Sequence, residues 1–237
     1  MSRQPIEKKE IQTPVIIYED NHIIAINKRP SEIVQGDKTG DIPLSELLKI
    51  YIKNKYHKPG NVFCGVVHRL DRPASGVVLF AKTSKGLTRL NKIFHDKEIK
   101  KTYWAVVAKS PEHPQKKLSH YLLRNEKQNI SRVVSEGTTG AQLAELEYEI
   151  IANAGNYFLL QINLITGRHH QIRAQLGAIG CPIMGDNKYG YPRNNRDYSI
   201  HLHARKIEFI HPVSKETIVI TAIPHEDVVW KKFENII

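Results

Sequence analysis

Cysteine is scarce in this chain of 237 residues: only Cys64 and Cys181 occur, far apart and without Cys-x-x-Cys spacing. A disulfide framework is therefore not expected, and a cysteine-based zinc site is close to excluded; two buried apolar thiols are the simpler reading. Long hydrophobic runs are also missing. No stretch approaches the roughly 20 apolar residues that cross a bilayer. The opening Met1-Ser2-Arg3-Gln4-Pro5 segment carries charges with no apolar run behind them, so no secretory leader is expected and the cytoplasm is the expected address. Acidic residues are in deficit: 24 Asp and Glu against 35 Lys and Arg leave a formal charge of +11. That balance fits a protein that meets polyanions. A membrane surface fits less well, because no segment joins a basic face to a strongly apolar one.

What is present suits an ordinary folded chain, with 41% hydrophobic and 25% charged residues. A fold of this length buries roughly 70–75% of its unfolded surface without needing disulfides or metals. Residues 1–13 are polar and expected to be flexible, and residues 14–237 to form one catalytic unit, since no repeat or linker divides them. Val15 to Tyr18 and Ile23 to Ile26 read as a hairpin around Glu19-Asp20-Asn21. Leu44, Leu47, Leu48, Tyr51 and Ile52 share a helical face that ends by Lys58-Pro59-Gly60. Val77 to Ala81 suits a buried strand, and Ser84 is placed to cap a helix carrying Leu87, Leu90 and Phe94. Tyr103 to Val107, Leu146 to Ile150 and Tyr157 to Leu164 read as strands. A helix through Ile172, Leu176 and Ile179 should stop at Gly180. Two late strands around Ile207 and Ile218 and a helix near Glu226 to Phe233 complete the reading. Hairpins beside isolated helices predict an α+β fold with a mixed, mostly antiparallel sheet.

Three segments concentrate chemistry. His68-Arg69-Leu70-Asp71-Arg72-Pro73-Ala74-Ser75-Gly76 sets one aspartate among arginines at the entry to an apolar strand. A neighbouring cation lowers a carboxylate pKa by about 1–3 units, so Asp71 suits nucleophile or base work; a structural turn with Arg–Asp pairing is the plainer alternative. Gly167-Arg168-His169-His170-Gln171-Ile172-Arg173 puts cations at the start of a helix. Its partial positive charge opposes them, so a carboxylate such as Asp71 or an RNA phosphate is the expected partner. Lys100-Lys101-Thr102-Tyr103-Trp104 interleaves cations and aromatics on a strand, suiting phosphate contact and base stacking. Successive strand side chains alternate, so one of the two aromatics should pack inward.

Together these motifs resemble the RluA family of RNA pseudouridine synthases. The resemblance rests on His68 to Gly76, Lys101-Thr102-Tyr103 and Gly167 to Arg173. It extends to Tyr18 to Pro30, Met184-Gly185-Asp186 with Tyr189-Gly190, and His201-Leu202-His203-Ala204. It runs from about residue 14 to residue 224, with Ala74 and His169 where threonine is more usual. It implies the pseudouridine synthase fold, with a mixed sheet flanked by helices and a cleft across the middle. It implies isomerisation of uridine in structured ribosomal or transfer RNA, with no cofactor and no metal, by a protein expected to be a monomer. It also implies Asp71 as the catalytic carboxylate, Arg168 as its salt-bridge partner and Tyr103 stacked on uracil. Arg69 would hold the flipped nucleotide; His68, Arg72, Lys100, Lys101, His170 and Arg173 are further RNA-contact candidates. The small N-terminal RNA-binding domain of many relatives is not expected here, so target selection would rest on the catalytic domain or on helper contacts.

Two rival readings remain at this level. A non-catalytic RNA chaperone on the same fold explains the charge but leaves Asp71 without a task. A metal-dependent hydrolase would recruit His68, His169, His170, His201 and His203, but no His-Glu-x-x-His helix or acidic second layer accompanies them.

Overall fold

In the computed structural model, which describes residues 13–236, the first β-branched runs pair as strands β1 (Ile16–Glu19) and β2 (Ile23–Lys28). The turn between them is set by Asp20, whose Oδ1 accepts the backbone N–H groups of His22 and Ile23 at 2.6 and 2.7 Å. A short side chain bonding its own turn in this way competes with continued strand. After helix α1 (Leu44–Lys55), the two-residue β3 (Gly65–Val66) leads through a loop into β4 (Ser75–Ala81), which is buried along its whole length.

Burial on both faces explains the unbroken apolar run. Val77 and Leu79 of β4 pack with Ile23 and Ala25 on one side. Val78 and Phe80 pack with Ile24 and Ile26 on the other, where α1 adds Leu44, Leu48 and Ile52. Helix α2 (Ser84–His95) closes the first face with Leu90 and Ile93. Its cap is Thr83 rather than Ser84: the Thr83 hydroxyl accepts the Gly86 N–H at 3.0 Å, while Ser84 is already helical.

The remaining strands are β5 (Ile99–Val107), β6 (Gln115–Asn125), β7 (Ile130–Val134), β8 (Gln142–Ala154), β9 (Tyr157–Leu164), β10 (Leu202–Ile210) and β11 (Thr217–Thr221). All join one 11-stranded sheet in the order β1-β2-β4-β10-β5-β9-β8-β6-β7, with β11 on β10 and β3 on β4. The only parallel pairing among the described strands is a short one, His203 opposite Ser75 and Ala204 opposite Gly76. Gly76 sits there with φ +113°, and a Cβ would collide with the Ala204 backbone. This close approach brings the loop before β4 alongside β5 and β10 in the middle of the sheet.

Helix α3 (Gln171–Ala178) ends as expected near Gly180, at φ +73°. The hairpin β6–β7 is an addition to the expected elements. Much of β6 is exposed and it carries adjacent lysines, so pairing to β8 from Gln115 to Leu122, rather than apolar burial, defines it. The expected C-terminal helix is a single 3-10 turn, Trp230–Phe233. Of the expected flexible segment 1–13, all but Thr13 lies outside the described residues. Among the described residues, no helix is long and apolar enough to cross a membrane.

Candidate active site

The loop from Val67 to Ala74 is held from several directions. His68 Nε2 accepts the Leu79 N–H at 3.0 Å, and the ring stacks on Phe94 with centroids 4.8 Å apart. Beneath the loop lies Lys28, with no exposed surface. Its ammonium donates to the carbonyls of Arg29, Arg72 and Ala74 at 3.0, 3.1 and 2.7 Å. Burial drives this ammonium down to about 7, against the attraction of Glu32 and Asp71. The Ile200 N–H bonds the Pro73 carbonyl at 3.1 Å, and a tight turn donates the Ala74 N–H to the Asp71 carbonyl at 3.0 Å. Backbone restraint therefore fixes where Asp71 points before any side chain meets it.

Asp71 points at α3. Arg173 Nη1 donates to its Oδ2 at 2.9 Å, and His170 Nε2 lies 3.5 Å from the same oxygen. Arg173 is itself fixed by a fork of hydrogen bonds to the buried Asp186, Nε at 2.6 Å and Nη2 at 2.8 Å. A planar guanidinium bridging two carboxylates is a geometry that lysine cannot supply. Burial alone would raise the Asp71 carboxyl, but His170 and Arg173 outweigh it and hold it below its usual range. Of these two, Arg173 carries the lasting charge: burial pushes His170 down to about 3, so its ring is neutral at pH 7. Asp71 Oδ1 has no hydrogen-bond partner among the described residues, and Asp71 lines a cavity of about 880 Å³.

Arg168 is therefore not the partner of Asp71, contrary to what the resemblance implies. His170 adopts φ +52° and turns the chain at the head of α3. Arg168 lies before that turn and donates from Nε to the Leu143 carbonyl of β8 at 3.0 Å. Arg173 lies after it and faces inward. The same fact removes Arg173 from the phosphate contacts, since its side chain is 6% exposed and occupied by two carboxylates.

The other expected residues divide by strand face and by solvation. Tyr103 of β5 lines the cavity, and burial together with the Asp71 charge pushes its ionisation well above the usual phenol range. The ring is thus neutral at pH 7 where it lines the cavity. The inward aromatic is Trp104, 5% exposed, as strand alternation requires. Lys101 shares the cavity, whereas Lys100 lies on the opposite face and pairs with Glu208 at 2.9 Å. Arg69 and Arg168 are exposed at the rim. Arg72 is engaged with Asp41 and with the Thr39 hydroxyl. His68 is neutral, pushed down to about 3 by burial, and serves the loop rather than a phosphate.

The histidines of the hydrolase reading are each engaged elsewhere. His201 meets Asp227 at 3.1 Å, His203 lies between the Ser75 hydroxyl and the Ala222 carbonyl, and His169 bonds Ser131. Both His201 and His203 do share a face, against Trp230. No group of three or more His, Cys, Asp or Glu side chains converges among the described residues. Sequence reasoning gave Lys28, Asp186 and Tyr189 no part in the site. Each lies in a recognised landmark, but no spacing rule links Arg173 to an aspartate 13 residues on, across a helix end and a turn.

The fold is that of two solved RNA pseudouridylate synthase domain proteins. The human RNA Pseudouridylate Synthase Domain Containing 4 protein matches with a TM-score of 0.78 over 93% of each chain, at 21% identity. The human Domain Containing 1 protein matches with a TM-score of 0.72, covering 92% of this chain and 86% of its own, at 22% identity. The chain belongs to the RNA pseudouridylate synthase family, whose description matches residues 22–178. Among its relatives, the ribosomal large subunit pseudouridine synthase C of Vibrio cholerae is 32% identical over 213 residues, covering 87% of this chain and 64% of the relative. The protein of the same name in Rickettsia bellii is 36% identical over 183 residues, covering 77% of this chain and 58% of the relative. The chain thus spans about three-fifths of the length of these relatives.

Proposed function

We propose that this chain converts uridine to pseudouridine in structured RNA. The observation that carries the reading is Asp71: ionised, fixed by Arg173 through one oxygen, and lining the cavity with the other oxygen unbonded to any described residue. Pseudouridylation breaks the C1′–N1 bond, turns the uracil and forms a C1′–C5 bond, with loss of the C5 proton. Asp71 Oδ1 serves either as nucleophile at C1′ or as base for the sugar proton that yields a glycal. In both routes the carboxylate must stay charged when substrate excludes water, and Arg173 supplies that. Tyr103 would stack on the detached uracil, worth about 1–3 kcal/mol. A paired or stacked uridine must first be extruded, at a cost of a few kcal/mol. Arg69, Lys101 and Arg168 line the cavity; Arg69 would hold the flipped nucleotide, and Lys101 and Arg168 would meet phosphates.

Ribosomal RNA is the first candidate substrate, since the relatives above are named for the large subunit; transfer RNA is the second. A monomer suffices, because one chain supplies the carboxylate, the guanidinium and the stacking ring. Asp71→Asn should abolish tritium release from RNA labelled at uridine C5 while RNA affinity stays within about tenfold, since the change leaves most phosphate contacts intact. Release at the wild-type rate would refute the assignment. Pseudouridine mapping in total RNA with and without the gene identifies the target. A chaperone on the same fold would show binding with no turnover on any RNA.

A further inference from the structure

Tyr189 takes no part in the reading so far, yet its hydroxyl joins two elements behind the reactive carboxylate. It accepts the backbone N–H of Ser131, on β7, at 2.8 Å. It also lies 2.9 Å from His170 Nδ1. A backbone amide can only donate, so the direction of the first bond is certain. Burial pushes the Tyr189 hydroxyl up to about 12, so it keeps its proton at neutral pH and has one to give. The only direction in which both bonds are donor to acceptor throughout, with that proton used, runs from Ser131 to Tyr189 to His170 Nδ1. A neutral imidazole that accepts at Nδ1 carries its proton on Nε2. That nitrogen is the one facing Asp71 Oδ2 at 3.5 Å. The opposite tautomer would set a bare lone pair against the carboxylate and leave the phenol proton unused.

The geometry points to Tyr189 as a positioning residue that fixes the His170 tautomer, so that the ring presents N–H to Asp71 and couples the β6–β7 hairpin to the reacting carboxylate. This rests on the reading of Asp71 as the reacting group. Other contacts agree with a deliberate junction. The Tyr189 ring lies 5.1 Å from the Arg173 guanidinium. His169 stacks on His170 with centroids 3.8 Å apart and reaches Ser131 Oγ at 3.0 Å and Asn129 Oδ1 at 3.1 Å. Lys188 closes the hairpin tip by donating to the Asn129 carbonyl at 3.3 Å. His170 itself is held at φ +52°, in the left-handed region where histidine joins asparagine and aspartate as an enriched non-glycine residue.

The direct test is the ring nitrogen spectrum of His170 in the full chain labelled with 15N-histidine. The wild type should show a protonated Nε2 and a bare Nδ1 near neutral pH, and Tyr189→Phe should show a mixture or the reverse. A wild-type ring protonated at Nδ1 would overturn the proposal whether or not Asp71 is catalytic, so the two readings fail separately. Tyr189→Phe keeps the ring over Arg173, so a purely packing role predicts unchanged kinetics. The proposal predicts a loss of kcat of about tenfold, the scale of the one hydrogen bond lost between Tyr189 and His170, with little change in KM. Turning a ring lone pair instead of an N–H dipole toward the ionised carboxylate raises its pKa, so the acid limb of the pH profile should move to higher pH. Arg173, His169, Lys188, Tyr103 and Lys28 also face this pair and are unaltered by the substitution. His170→Asn provides the cycle: asparagine tolerates the left-handed backbone but is too short to reach Asp71. The double variant should be no worse than His170→Asn alone, and additive losses would show that Tyr189 acts by another route.

Discussion

Glu19 and Asp71 are both carboxylates set among cations, and they are built differently. Glu19, at the end of β1, accepts from Lys55 at 2.6 Å, Lys82 at 2.7 Å, Tyr56 at 2.8 Å and Tyr51 at 3.0 Å, and its side chain is 8% exposed. Asp71 accepts one hydrogen bond, from Arg173, and is 27% exposed toward the cavity. Burial would raise Glu19, but the surrounding lysines and tyrosines bring it to about 2. Asp71 is also held low, with one of its two oxygens unused. A saturated carboxylate can only hold structure together. An ionised one with a free oxygen at a cavity wall is available to a substrate.

The sharpest way to break this comparison is to remove the support behind Asp71. Asp186 is 1% exposed, and its one side-chain partner among the described residues is Arg173. Asp186→Asn should destabilise the fold by about 3–5 kcal/mol, the cost of breaking a buried ion pair, and lower kcat as Arg173 loses its fixed geometry. Urea unfolding and tritium release measure the two effects. Stability within about 1 kcal/mol of wild type would mean that Arg173 is not held by this pair. The matching change on the structural side, Glu19→Gln, should cost about 2–4 kcal/mol by leaving the buried Lys82 ammonium under-compensated, with kcat unchanged. Its folded pKa lies below the unfolded value, so its contribution is complete above pH 4.5 and is lost as the pH falls toward about 2. The wild-type advantage over Glu19→Gln should therefore shrink in that window, and a constant difference would remove the linkage.

Lys28 sharpens the same contrast from the opposite sign. Its folded pKa is depressed from 10.5 to about 7, so between those values the unfolded chain binds more protons and stability rises with pH. Relative to Lys28→Met, the wild type should gain about 2 kcal/mol between pH 7 and roughly pH 9, reading the shift as order of magnitude. Yet the protonated form is the one with a hydrogen for each of the Arg29, Arg72 and Ala74 carbonyls. Stability and loop order thus pull in opposite directions with pH. A flat stability difference from pH 6 to roughly pH 9 would show that Lys28 titrates as an ordinary lysine.

These contrasts also show what the sequence made legible. Asp71 stood out because His68 to Gly76 is contiguous, and the strands around it were visible because β2 and β4 bury both faces. The partner of Asp71 was misassigned because Arg168 and Arg173 are equally plausible until the φ of His170 is known. That single left-handed residue sends one arginine to β8 and the other to the carboxylate. The β6–β7 hairpin escaped notice because Gln115 to Lys117 gives no apolar alternation. Its register depends on pairing with β8, a long-range fact with no local signature.

The smallest expected effect uses two adjacent residues on β5. Lys101 lines the cavity, and burial lowers its pKa, while Lys100 is exposed on the other face with Glu208. If RNA lies along the cavity side of the sheet, Lys101→Gln should reduce the slope of log affinity against log salt by about 0.7–0.9, one phosphate contact. Lys100→Gln should leave the slope unchanged, because its charge is already paired with a carboxylate on the far side of the strand. Fluorescence anisotropy across a salt series with one structured RNA separates the two. Equal slopes would mean that the alternation of β5 does not divide substrate side from solvent side. A larger change at Lys100 would place the RNA on the Glu208 face, away from Asp71, and the argument that ties the free carboxylate oxygen to a bound uridine would lose its geometry.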